Sequence, residues 1–277
     1  MSKAKKSRIP EFCVLVIMLL LLLEEVFISK KILSITDATT GELINMIISR
    51  TLGGLAFLIL GISCRYKVFN IFKVRSAKSL IFVLPAIIVA LNNIPFLSIL
   101  EGEAKITGSF WQLSLLLFEC LAVGFFEEMT FRSFVMMTVM EKRRATRKQI
   151  FVSIIITSVI FGLVHLVNML TSSPVAVLLQ ICYSFLIGAM CAVVLLICGN
   201  VWICVLIHGL FNFMGAIVPT FGEGKLIWDH VPTMIITAAV GIIVTVFYVI
   251  VFTKYDPEDT DLLYGTKKGR IKDHTEQ

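Results

Sequence analysis

Two adjacent glutamates and an arginine, in the stretch GFFEEMTFRSF (Gly124 to Phe134), lie inside a run of residues otherwise apolar enough to cross a membrane. An ionised side chain at that depth costs about 2.5 to 3.5 kcal/mol on an insertion scale, so residues kept there need a chemical use. Glu128 and Arg132 are one helical turn apart, within about 40° on one face, where opposite charges pair and lower each other's burial cost. Glu127 points about 100° away from Glu128. The spacing separates two roles: one glutamate held ionised by the arginine, the other facing a cavity as a general base.

Two more polar stripes occur in later apolar stretches. His165 has Phe161 one turn before it and Asn168 about one turn after it, and His208 shares a helix face with Asn212. Taken singly, a histidine in a span is an interhelical hydrogen-bonding residue, and paired acids are equally a proton or cation site of a transporter. Arg50 and Glu119 also lie at depth; neither has a partner at helical spacing, and both read as packing residues.

These residues need helices to position them, and the composition supplies them. Of 277 residues 57% are hydrophobic and 16% charged, and the mean hydropathy is +0.92, which excludes an ordinary soluble domain. The expected fold is all-α: a polytopic membrane protein with about eight transmembrane helices, near 11–28, 43–64, 80–99, 110–140, 151–171, 175–197, 201–218 and 233–253. One membrane domain fills 1–253, and the polar stretch 254–277 is expected to be a mobile cytoplasmic tail. The first span comes after the basic start MSKAKKSR with no small-residue cleavage site behind it, so it reads as a retained signal anchor.

Basic residues fall on alternate loops. Lys3 to Arg8, Arg65 to Lys78, Lys142 to Lys148 and Lys254 to Lys272 share one side, and only Lys30, Lys31, Lys105 and Lys225 hold the other, so both termini are expected in the cytoplasm. The net charge of +6 is thus topological, and no nucleic-acid partner is expected. Seven cysteines without a CxxC motif predict neither a disulfide framework nor a zinc knuckle.

Pro85 and the NNIP stretch at Asn92 to Pro95 are expected to bend or end the third span. The short links at Ser172 to Pro174 and Gly199 to Asn200 make spans five, six and seven antiparallel neighbours. Counted from the cytoplasmic ends, Glu127, His165 and His208 stand about 20, 21 and 10 Å deep. All three can line one cavity, His208 being the shallow member.

Glu127-Glu128-x-x-x-Arg132, Phe161-x-x-x-His165 and His208-x-x-x-Asn212, in this order on three apolar spans, resemble the signature of the CPBP family, the CAAX prenyl proteases and bacteriocin-processing enzymes also called the Abi family. The resemblance covers about residues 120–215. It implies a multi-spanning intramembrane endopeptidase in which Glu127 activates water, Glu128 and His165 support or share that task, and His208 with Asn212 stabilises the oxyanion. Arg132 resembles the structural anchor of the glutamate motif, with Phe161 and Asn168 as further structural support. Such chemistry needs a base for water and donors where negative charge develops, the latter worth about 3 to 4 kcal/mol each.

Two readings of the cofactor stand side by side. Zn²⁺ on Glu128, His165 and His208 with water in the fourth position is one; a glutamate mechanism without a tightly bound metal is the other, and the missing HExxH helix favours it. The expected partners are the lipid bilayer and a membrane-associated peptide or protein, lipidated or of the bacteriocin type. The short chain and lysine-rich loops point to a bacterial inner membrane and to peptide maturation or immunity. A non-catalytic scaffold like the lysostaphin-resistance relatives is the alternative of another class, and a proton-coupled transporter a third.

Overall fold

The computed structural model describes residues 37–170 and 172–264; the expected first span and positions 265–277 lie outside the described residues. Among the described residues six helices are long and apolar enough to cross a membrane, so the chain is an all-α polytopic membrane protein. They are α1 (Ala38–Ser63), α3 (Phe110–Thr130) with its continuation to Met140, α4 (Arg147–Leu163) with its 3₁₀ continuation to Leu170, α5 (Pro174–Cys198), α6 (Val201–Phe221) and α7 (Val231–Thr253). A shorter α2 (Leu84–Leu91) lies between the first two.

Local sequence sets the helix ends. Asp37 accepts a hydrogen bond from Thr40 N at 3.0 Å to open α1, and Ser109 with Gln112 forms a reciprocal capping box at α3. Ser173 caps α5 with proline in the first turn, and Gly199 closes it at φ +68°, a left-handed position that favours glycine. Asn200 then caps α6, and its amide donates to the Asn70 and Lys73 carbonyls at 3.0 and 3.1 Å.

The expected third span is broken rather than bent. A 3₁₀ turn over Ala77–Val83 leads into α2, and Pro85 sits in the first turn of α2, where it starts the helix instead of kinking it. The NNIP stretch does end it, and a short helix, Phe96–Leu100, comes next. In the tail, Pro257–Tyr264 forms a 3₁₀ helix that packs against the bundle. The Tyr264 hydroxyl donates to Met137 O at 2.7 Å, Arg144 stacks on the Tyr264 ring at 4.0 Å, and Arg144 Nε is 2.6 Å from Asp261 Oδ1. Burial pushes the Tyr66 phenol up to about 12 and the Tyr264 phenol above its ordinary value, so both rings, in edge contact at 5.6 Å, remain protonated. A polar composition hid three aromatic and aliphatic anchors, Tyr255, Leu263 and Tyr264, all buried.

At the opposite end of the bundle, strands β1 (Ala104–Ile106) and β2 (Gly222–Gly224) pair antiparallel. His230, at the start of α7, is 3.0 Å from Glu101, and Lys225 is 2.9 Å from Glu103. This strap ties the α2–α3 loop to the α6–α7 loop.

Candidate active site

The site forms where α3 and α6 cross. A Cβ at Gly124 would stand 2.9 Å from Gly209 N and 3.1 Å from Val205 O, and one at Gly209 would stand 3.1 Å from Leu121 Cα. Only at such close backbone approach can side chains of α3 and α6 meet end to end. Leu115 and Leu116 pack with Ile217 and Val218 further along, so the two helices run antiparallel.

Across that contact His208 sits between the adjacent glutamates. Its Nδ1 is 2.7 Å from Glu128 Oε1 and its Nε2 is 3.2 Å from Glu127 Oε2. Arg132 Nε is 3.1 Å from Glu128 Oε2. Arg132 lies in a π-helical stretch, Phe131–Met136, whose wider turn comes soon after the glutamates. The guanidinium also stacks on Phe161 at 4.3 Å, in space left by Gly188, where a Cβ would stand 3.3 Å from Arg132 Nη2.

Glu127 and Glu128 differ in access. The Glu128 side chain is 0% exposed and Glu127 18%, and Glu127, not Glu128, lines a cavity of about 1020 Å³ that His165, His208 and Asn212 also line. The His208 depth therefore differs from the sequence estimate. The helical run from Phe110 to Met140 has 31 residues, about 46 Å and longer than a bilayer core, so counting from its end overstates the depth of Glu127.

The other motif residues have local roles. Phe161 meets His165 and His208 edge-on, at 5.3 and 5.8 Å. His165 Nδ1 is 3.0 Å from the Phe161 carbonyl; a carbonyl only accepts, so Nδ1 carries a proton, and in the neutral form of the ring the lone pair is on Nε2. Asn168 Nδ2 donates to Gln180 Oε1 at 2.8 Å, away from the glutamates. The Asn212 side chain stands at the cavity wall. Arg50 stacks on Phe126 at 5.4 Å.

The model of the Rce1-like type II CAAX prenyl endopeptidases matches residues 109–214, from the cap of α3 to just past Asn212. The match takes in all three motifs and marks this segment as similar to a CAAX protease domain. It agrees with the CPBP resemblance carried by the three motifs. No curated protein and no solved structure matches the chain.

Within the matched segment, Glu128, His165 and His208 do not come together as a zinc ligand set. Among the described residues the His, Cys, Asp and Glu groups with ligand atoms within 4.8 Å of one another are Glu128–Cys191–Cys204 and Glu101–Glu103–His230. His208 already presents each ring nitrogen to a carboxylate, and Nδ1 of His165 faces a carbonyl. Sequence reasoning missed Tyr183 and Gln180, which line the same cavity, and set Glu119 aside although it lines it too. The signal for Glu119 was present: Glu119, Val123 and Glu127 recur every fourth residue, one continuous stripe of α3.

Proposed function

We propose that the protein is an intramembrane endopeptidase that hydrolyses a peptide bond of a membrane-associated substrate, lipidated or of the bacteriocin type. The observation that carries the reading is the chain Arg132, Glu128, His208, Glu127, in which the last carboxylate alone reaches the cavity. Arg132 and Glu128 fix the His208 ring, and His208 in turn orients Glu127. The Glu127 carboxylate takes a proton from water, the resulting hydroxide adds to the peptide carbonyl carbon, and the proton passes from Glu127 to the leaving amine as the C–N bond breaks. The His165 Nε2 lone pair accepts a hydrogen bond from the same water. Asn212 N–H is a donor for the oxyanion, and His208 Nε2–H joins it once Glu127 has taken the water proton and holds that N–H less tightly, each worth about 3 to 4 kcal/mol in a dry site.

No step in this scheme uses a tightly bound metal. The basic loops support a bacterial inner membrane with both termini in the cytoplasm, where such an enzyme would mature peptides or confer immunity. The matched family's description makes a prenylated CAAX peptide the first substrate to try. Purified protein should cleave a fluorogenic farnesylated CaaX peptide, and Glu127→Ala should abolish cleavage. Equal turnover by the two proteins removes Glu127 from the mechanism.

A further inference from the structure

The cavity is polarised along its length. From Glu127 toward the start of α4 its wall is mainly apolar, with Ile154, Ile155, Met190, Val193, Val244 and Phe252, interrupted by Thr245 and Tyr248. At that end Phe151 packs against Phe252 at 5.9 Å, and Arg147 donates to Tyr255 O at 2.9 Å. In the other direction the wall carries Glu119, Asn92, Asn93 and Thr220. Asn93 is fixed there by donating to Phe211 O at 2.8 Å.

Glu119 is two turns before Glu127 on the same stripe, about 12 Å away along α3. Among the described residues no cation lies within 4.0 Å of it, and its hydrogen-bond donor is the weak thiol of Cys120 at 3.3 Å. The nearest compensating charge, Arg50, acts at longer range and is engaged with Phe126. Among the described residues Glu119 is thus a carboxylate in the wall of a membrane cavity with no cation in direct contact, a cost that a ligand's charge would reduce.

We propose that Glu119 is a specificity-determining residue, a subsite for a cationic group of the substrate, a lysine or arginine side chain about three to four residues from the cleaved bond. The distance comes from 12 Å of wall and about 3.3 Å per residue of extended peptide. The apolar end takes the greasy or lipidated part, and the scissile bond lies between the two at Glu127. The inference rests on the endopeptidase reading. A carboxylate at this end disfavours a substrate whose free carboxylate lies there, so it also sets which way the peptide runs.

The test is a set of internally quenched, farnesyl-anchored peptides with lysine, norleucine or glutamate scanned through the second to fifth residues on either side of the cleaved bond. The wild-type protein should prefer lysine to norleucine by about ten-fold or more in kcat/KM at one position, about 1.4 kcal/mol, with glutamate poorest. Glu119→Gln should erase the lysine-to-norleucine ratio and Glu119→Asp should retain it. The ratio within each protein is read, so a drop in overall turnover does not imitate the effect. A wild-type protein that cleaves all peptides with no lysine preference overturns the subsite, as does Glu119→Gln with an unchanged ratio. Failure to cleave any peptide overturns the endopeptidase reading itself.

Discussion

His208 Nδ1 stands 2.7 Å from Glu128 Oε1, so the histidine of α6 is fixed to α3 through the one glutamate of the pair that has no exposure. The other ring nitrogen faces Glu127. Adjacent residues that point about 100° apart on a helix therefore serve one imidazole from two sides.

The two glutamates should respond differently to the same substitution. Glu128→Gln leaves the buried Arg132 charge without its partner, a loss of about 3 to 5 kcal/mol in stability. Glu127→Gln keeps a hydrogen-bonding contact with His208 and should hold its unfolding temperature while cleavage falls by about 10² to 10⁴-fold. Thermal unfolding in detergent measured beside peptide cleavage decides it, and the reverse pattern swaps the assignments.

Gly124→Ala should lower activity more than stability. The new methyl meets backbone at 2.9 Å, so α3 and α6 must part by a few tenths of an ångström or more. Overpacking costs about 1 to 3 kcal/mol, offset by the better helix propensity of alanine. Misplacing the base relative to His208 costs up to about 10²-fold in kcat/KM. Wild-type turnover in Gly124→Ala would show that the backbone contact does not set the site geometry.

Metal removal should change little. Protein dialysed against a strong zinc chelator is expected to retain its cleavage rate, and elemental analysis is expected to find far less than about one equivalent of zinc per chain. Stoichiometric zinc lost together with activity, and restored with it, would replace the glutamate mechanism.

The docked end of the chain should matter for stability. Tyr264→Ala removes a buried ring, its hydrogen bond to Met137 O and the Arg144 stack, and is expected to cost about 3 kcal/mol or more, seen as an earlier thermal transition. Tyr264→Phe loses only the hydroxyl contact, about 1 kcal/mol. Two variants that unfold at the wild-type temperature would mean that this segment packs without contributing.

The sequence by itself determined the features that are set at short range. Apolar runs long enough to span a bilayer gave the helices, capping residues such as Ser109 and Asn200 gave their starts, and i to i+4 spacing brought Glu128 to Arg132. Only the tertiary structure decided how α3 meets α6, because Gly124 and Gly209 carry no pattern that names each other as partners. With that contact came the double engagement of His208, which left its nitrogens facing carboxylates. The docking of Tyr264 and the cavity face of Glu119 were hidden for the same reason. Periodicity reports which face of a helix a residue occupies, whereas the neighbour that covers that face is set by packing between segments far apart in the chain.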